Sequence, residues 1–281
     1  MADTRTGADP TAGLRPLHAT PSVGEYLAQL WKRREYTLKV PLRQLRARNL
    51  NNALGLFWFL LNPLMLVAVY FFFFGLLIGT DRGVDNFLTF LAAGVFTYTF
   101  MQRTTTSASR TMITHVGLIR ALRFPRALLP ISETIEQTLA QLPVLVILVL
   151  AALLTGETPD VAWLLLIPLT LLQAMFALGA GFVLARVTTH FRDIQNFLPF
   201  VFRLVFYMSG VLYSVDAFVS NETLGRLFYL NPFYDHIEFV RFAILGGDLP
   251  VWAVVGAVVS SFVMLPLGFV IFRRGEPYGR A

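Results

Sequence analysis

Apolar residues in this chain of 281 residues gather into long blocks in which hydrophobic positions hardly alternate with polar ones. The first block, LGLFWFLLNPLMLVAVYFFFFGLLI at residues 54–78, contains no charged side chain. A helix needs about 20 such residues to cross ~30 Å of hydrocarbon, so the block predicts a membrane span. Residues 161–187 and 251–272 repeat it, and residues 142–154 and 197–213 repeat it less cleanly. Another block opens at Phe87, stays apolar to Met101, then turns polar through Gln102, Arg103 and a Thr/Ser run ending at Ser109. That end is expected to face protein or water. Glu133, Glu136, Gln137 and Gln141 precede the apolar part of the third block and cannot face lipid without cost. The economical reading is an all-α polytopic membrane protein with six transmembrane helices.

Polar segments divide the chain. Residues 1–21, rich in Thr, Pro, Gly and Ala and lacking an apolar core, read as a disordered cytoplasmic tail with neither a signal peptide nor a span. Ser22 and Glu25 have capping-box spacing, and Val23, Tyr26, Leu27, Leu30 and Trp31 then recur on one helical face. With Lys32, Arg33, Arg34, Lys39, Arg43, Arg46 and Arg48, residues 22–49 are predicted to form an amphipathic interface helix in the headgroup region. The plainer reading is a basic juxtamembrane segment. Residues 50–281 hold the six-span domain.

Loop charge sets the expected orientation. The segment before the first span is basic and the following loop holds Asp81, Arg82 and Asp85; Arg110, Arg120, Arg123 and Arg126 precede the third span, and Glu157 and Asp160 follow it. Arg186 and Arg192 mark another inner loop, and Arg273 and Arg274 follow the last span. Both termini are therefore predicted to be cytoplasmic. The acidic outer segment, residues 214–250, is partly apolar but carries Asp235, Glu238 and Arg241 behind Asn231-Pro232. Short outer re-entrant helices packed on the bundle suit it better than a lipid-exposed crossing.

Composition agrees: 56% of residues are hydrophobic and 14% charged, against about 25% charged in soluble domains. There is no cysteine, and His18, His115, His190 and His236 show no ligand spacing, so no metal site is expected. Only Lys32 and Lys39 among the 23 basic residues are lysine, a bias of high-GC bacterial genomes.

Little points to catalysis. No GxxxxGK[ST] phosphate loop is present, so ATP hydrolysis by that route is excluded. Glu133 and Glu136 share a helix face, which does not by itself make an acid/base pair. Arg203 is expected roughly 9 Å into the fifth span at helical rise, a costly place against lipid. It should face the interior of the bundle, either contacting an anionic substrate group such as a diphosphate or pairing with a carboxylate. Aromatic rings can stack on sugar faces through weak contacts, which makes Tyr70, Tyr98, Tyr207 and Tyr213 candidates, with Arg203, for lining a transport path.

Four stretches occur in the order and spacing of polysaccharide ABC exporter permeases: LRARNLNNALGLFWFLLNPLMLVAVYFFFFG, GLIRALRFPRALLPISE, FRDIQNFLPFVFRLVFYMSGVLYSVDAF and LFYLNPFYDHIEFVRFAILGG. Between residues 23 and 274 the chain resembles the O-antigen and teichoic-acid export subunits. The resemblance implies a type 2 ABC exporter fold: a homodimer of six-span permeases in the bacterial inner membrane, with two copies of a separate ABC ATPase carrying ATP and Mg, and no cofactor in this chain. It places an ATPase-coupling segment at Val116, Leu118, Ile119, Arg120, Leu122, Arg123, Phe124 and Arg126, with Arg192 and Asp193 nearby. The implied cargo is a polyprenyl-diphosphate-linked polysaccharide, and no residue selects a cell-wall galactan over O-antigen. No nucleic-acid partner is implied. A drug or small-lipid permease shares this topology; a membrane-embedded enzyme or a passive channel are the readings from other classes.

Overall fold

The computed structural model describes residues 22–35, 37, 39–41, 57–77, 84, 86–122, 124–215 and 222–275. Among them every regular element is a helix. The tail at 1–21, the basic residues Arg43, Arg46 and Arg48, the start of the first span, and Arg123 lie outside the described residues.

Helix α1, Val23–Lys32, starts where the capping box predicts: Ser22 accepts the Glu25 N–H and Glu25 accepts the Ser22 N–H. The first apolar block forms α2, Phe57–Tyr70, and continues as a π-helical turn, Phe71–Leu77. The second forms α3, Phe87–Thr114. A short helix, α4, Val116–Ala121, leads through an extended stretch to α5, Leu128–Leu154. A 3-10 turn, Val161–Leu165, opens α6, Leu166–His190, and then come α7, Ile194–Met208, α8, Glu222–Phe228, α9, Pro232–Leu245, and α10, Val251–Arg274.

Three helical stretches are long and apolar enough to cross a membrane: Leu128–Leu154, Val161–His190 and Val251–Arg274. Their outward faces carry Val146, Leu150, Ile167, Leu171, Val259 and Phe262, a surface that only hydrocarbon or another protein would solvate favourably. The third span is longer than the expected 142–154 because α5 runs unbroken from Leu128 through its polar start. The fifth is shorter than expected. Helix α7 stops at Met208, and Gly210 reverses the chain with φ +59, a conformation that suits glycine. Its 15 residues reach only ~22 Å at helical rise.

Helix α3 is the axis of the bundle. It packs on α5 and α6 along most of its length and on α9 and α2 at its start. Ala92, Ala93 and Gly94 let neighbours approach, and burial continues through Thr104, Thr105, Ser109 and Thr111. This explains how a span can turn polar halfway. The hydroxyls of Ser109 and Thr111 donate to carbonyls one turn back, and Thr188 of α6 donates to the Ser109 carbonyl at 3.1 Å. The hydroxyls of Ser109, Thr111 and Thr188 are thus satisfied within the helices.

Helices α6 and α10 cross at Gly179 and Gly268. A Cβ on Gly179 would collide with the Met264 carbonyl, and one on Gly268 with the Gly179 backbone. Small residues at a crossing let helices pack where no hydrophobic force against lipid drives them together. Helix α9 is held inside protein: Tyr234, His236 and Arg241 are almost fully buried, and its first turn is capped by Asn231 with Pro232 at the start. Its charges are thus covered by protein.

Candidate transport face and docking end

Contacts sort the loops into two ends. At one, Tyr26 of α1, Ala127 before α5, Phe182 and Ala185 of α6 and Phe272 of α10 form a second core. The Tyr26 hydroxyl accepts the Ala127 N–H at 3.2 Å, its ring meets Phe269 edge-on at 5.7 Å, and the Arg273 guanidinium lies 5.8 Å from the ring centre. Arg186 donates to the Gly275 carbonyl at 2.9 Å, closing the end of α10. This end carries Arg186 and Arg273. Glu35 and Lys39 pair there at 2.6 Å, and the lysine's hydrogen bond and charge hold the Glu35 carboxyl below the ordinary carboxylate range.

The opposite end is clasped by Asn86, which donates to Thr155 (2.7 Å) and Glu157 (2.8 Å), and by Trp163, which donates to the Ile244 carbonyl (3.1 Å). The acidic residues Glu157 and Asp160 lie in the loop at this end.

At the basic end, α4 places Val116, Leu118, Ile119 and Arg120 on a surface helix, and Leu122 beyond it is 57% exposed. Phe124 and Arg126 are half-buried where the chain turns into α5. Arg192 and Asp193 are exposed in the turn before α7. Val23, Leu27 and Trp31 of α1 are also exposed, while Tyr26 is buried. This end thus presents apolar side chains among cations.

The path candidates divide. Tyr70 stacks on Phe74 (6.1 Å) and on Phe206 of α7 (5.7 Å). Tyr207 is half exposed, and Tyr213 donates to the Tyr207 carbonyl at 3.1 Å. The structure therefore brings Tyr70 against α7 next to Tyr207 and Tyr213, with Arg203 one turn earlier on the exposed side of the same helix.

Two expectations need correction. Tyr98 is 1% exposed; its hydroxyl donates to the Phe202 carbonyl and its ring meets Phe206 at 5.1 Å, so it fixes α7 against α3 and reaches no surface of this chain. Arg203 does not face the interior of its own bundle. It sits on the exposed side of α7 because Leu198, Phe202 and Phe206 occupy the packed side.

Sequence reasoning treated Arg241 only as a charge that disfavours a lipid crossing. It is a hub. Its guanidinium pairs with Glu238 at 2.7 Å, donates to the Gly210 and Val211 carbonyls at 3.0 Å each and to Phe90 at 3.5 Å, and covers the Phe90 ring at 3.3 Å. Helix α9, the start of α3 and the turn ending α7 meet on this one side chain. A cation inside an apolar helix right after an Asn-Pro start is the signal that could have found it.

A bundle with an apolar outer surface and a polar interior seam defines a polytopic helical membrane protein. The chain belongs to the ABC-2 type transporter family, whose profile matches residues 41–245. It is similar to the O-antigen export system permease protein RfbA of Klebsiella pneumoniae, 25% identical over 233 residues covering 83% of this chain and 88% of that one. RfbA of Myxococcus xanthus is 25% identical over 207 residues, covering 73% and 78%. The polysialic acid transport protein KpsM of Escherichia coli is 22% identical over 241 residues, covering 84% and 91%.

Proposed function

We propose that this chain is the permease subunit of an ATP-driven exporter that moves a polyprenyl-diphosphate-linked polysaccharide from the cytoplasmic to the outer face of the bacterial inner membrane. The observation that carries this reading is similarity along most of the chain to permeases named for two different polysaccharides, O-antigen and polysialic acid.

Six crossings follow when α2 with its π-helical turn, α3 and α7 join the three long apolar helices. The basic end then faces the cytoplasm, with α1 lying in the headgroups as an interface helix. ATP and Mg belong to two copies of a separate ATPase seated against α4, Leu122, Phe124 and the Arg192-Asp193 turn. A second copy of the permease completes the passage: the exposed faces of α2 and α7 lie toward the two-fold axis, and Tyr70, Tyr207 and Tyr213 offer rings to passing sugars. A moving polymer needs many weak contacts, because strong hydrogen bonds at each step would hold it in place.

Depletion of the protein is the test. It should lower surface polysaccharide and accumulate its lipid-linked precursor inside the cell. Unchanged glycan pools together with sensitivity to small toxic amphiphiles would replace this reading with a drug or small-lipid permease.

A further inference from the structure

Asp235 lies in the first turn of α9 and is 2% exposed. Its Oδ1 has no hydrogen-bond partner among the described residues. A Cβ on Gly256 of α10 would overlap its carboxyl, so the group is pressed onto backbone where the neighbouring helix has no side chain. A buried carboxylate is tolerable when a cation or several N–H groups answer it. Both cationic candidates on α9 are committed elsewhere. The Arg241 guanidinium is taken by Glu238 and by the Gly210, Val211 and Phe90 carbonyls. His236 has Nδ1 on the Pro232 carbonyl at 2.7 Å and Nε2 on the Ser261 hydroxyl at 3.1 Å.

The elements packed on α9 meet it with uncharged groups: α10 with Gly256 and Ser261, α6 with Phe176, α3 with Phe90, α8 with Phe228 and the 3-10 turn with Trp163. The cations Arg103 and Arg110 of α3, Arg186 of α6 and Arg273 and Arg274 of α10 lie far along each helix from these contacts, and Arg226 of α8 is exposed. Glu133 and Glu136 sit near the start of α5, and Asp160 is exposed where it caps the 3-10 turn. On α9 itself Glu238, one turn on, is a like charge. An ionised Asp235 would therefore be buried with nothing to answer it, whereas the protonated acid is neutral and gains a donor. We propose that Asp235 is a proton-binding site: the neutral acid seats α9 on α10 at Gly256, and loss of the proton to solvent releases that contact. Helix α9 also holds the turn after α7, through Arg241 and through Asn231, which donates to the Ser209 hydroxyl at 2.9 Å, so its seating fixes the end of α7 as well.

Burial and the Glu238 charge push the Asp235 carboxyl from 3.8 up to about 8. The folded protein thus holds the proton more tightly than the unfolded chain does. Stability from this site is full at low pH, falls as the pH rises past the unfolded value, and levels off beyond the folded one.

Infrared spectroscopy of the full-length protein in dodecyl maltoside, which has no carbonyl of its own, reads the proton directly. At about pH 6 a protonated-acid carbonyl band should appear that shifts when aspartate carboxyls carry carbon-13, and it should be gone by about pH 10. Asp235→Asn should remove it. Thermal unfolding gives a second readout: between about pH 4 and about pH 8 the parent's melting temperature should fall more steeply than that of Asp235→Asn, whose amide keeps the shape without the proton. No labelled band at about pH 6, a band that persists in Asp235→Asn, or a variant that melts well below the parent with an unchanged pH slope overturns the proposal. Should Asp235→Asn not be recoverable, the labelled parent still decides: a band midpoint near about 8 supports the site, and one near about 4, the ordinary aspartate value, overturns it.

Discussion

At the residue scale, two buried side chains do most to position the functional faces. Arg241 brings a charge into the interior of the bundle and makes it tolerable by meeting Glu238 and three carbonyls. Replacing it with Met leaves Glu238 uncompensated and the Gly210 and Val211 carbonyls without their donor. Arg241→Met should therefore lower stability by about 3–5 kcal/mol, the cost of breaking a buried pair from one side. Thermal unfolding in detergent measures this, and Arg241→Met with Glu238→Gln should recover part of the loss. Tyr26 acts at the other end, where its oxygen accepts the buried Ala127 N–H. Tyr26→Phe keeps the ring but strands that N–H, at about 1–3 kcal/mol. The same melting assay should show a smaller drop than for Arg241→Met. Neither partner set was legible in the sequence, since Tyr26 and Ala127 are joined only by the fold.

At the scale of elements, the crossing of α6 and α10 and the projection of α4 have separate consequences. Gly179 and Gly268 allow backbone contact, so a side chain at either pushes the helices apart. Gly268→Leu should cost at least the 1–3 kcal/mol typical of overpacking, read as a lower melting temperature and poorer recovery of monodisperse protein. Arg120 of α4 and Leu122 beyond it are exposed. Arg120→Glu with Leu122→Asp should leave the melting temperature within about 0.5 kcal/mol of the parent, as surface substitutions do, while sharply reducing the ATPase recovered with the permease. Retained ATPase at parental yield would remove α4 from the docking surface. Helix starts were readable from local chemistry, as the Ser22 capping box and the Asn231-Pro232 start of α9 show. The end of α7 was misjudged because its composition stays apolar to Tyr213, and only the backbone reversal at Gly210 marks the stop.

At the scale of the whole molecule, the absence of a phosphate loop predicts a permease that depends on a partner for energy. The isolated chain should hydrolyse ATP no faster than a detergent blank, and a phosphate-release assay checks this. Robust hydrolysis would overturn the reading of a partner-driven permease.

What the sequence determined by itself is whatever follows from solvent and local geometry: apolar blocks of span length, loops of alternating charge, and motifs in a recognisable order, because transfer to a bilayer and helix capping depend on nearby residues alone. The tertiary structure decided which side each residue faces. Tyr98 and Tyr207 look equivalent in the sequence, yet one is sealed between α3 and α7 and the other lies on the open face with Arg203. Their difference depends on which ridge of α7 packs against α3, a choice made by contacts between residues about a hundred positions apart in the chain.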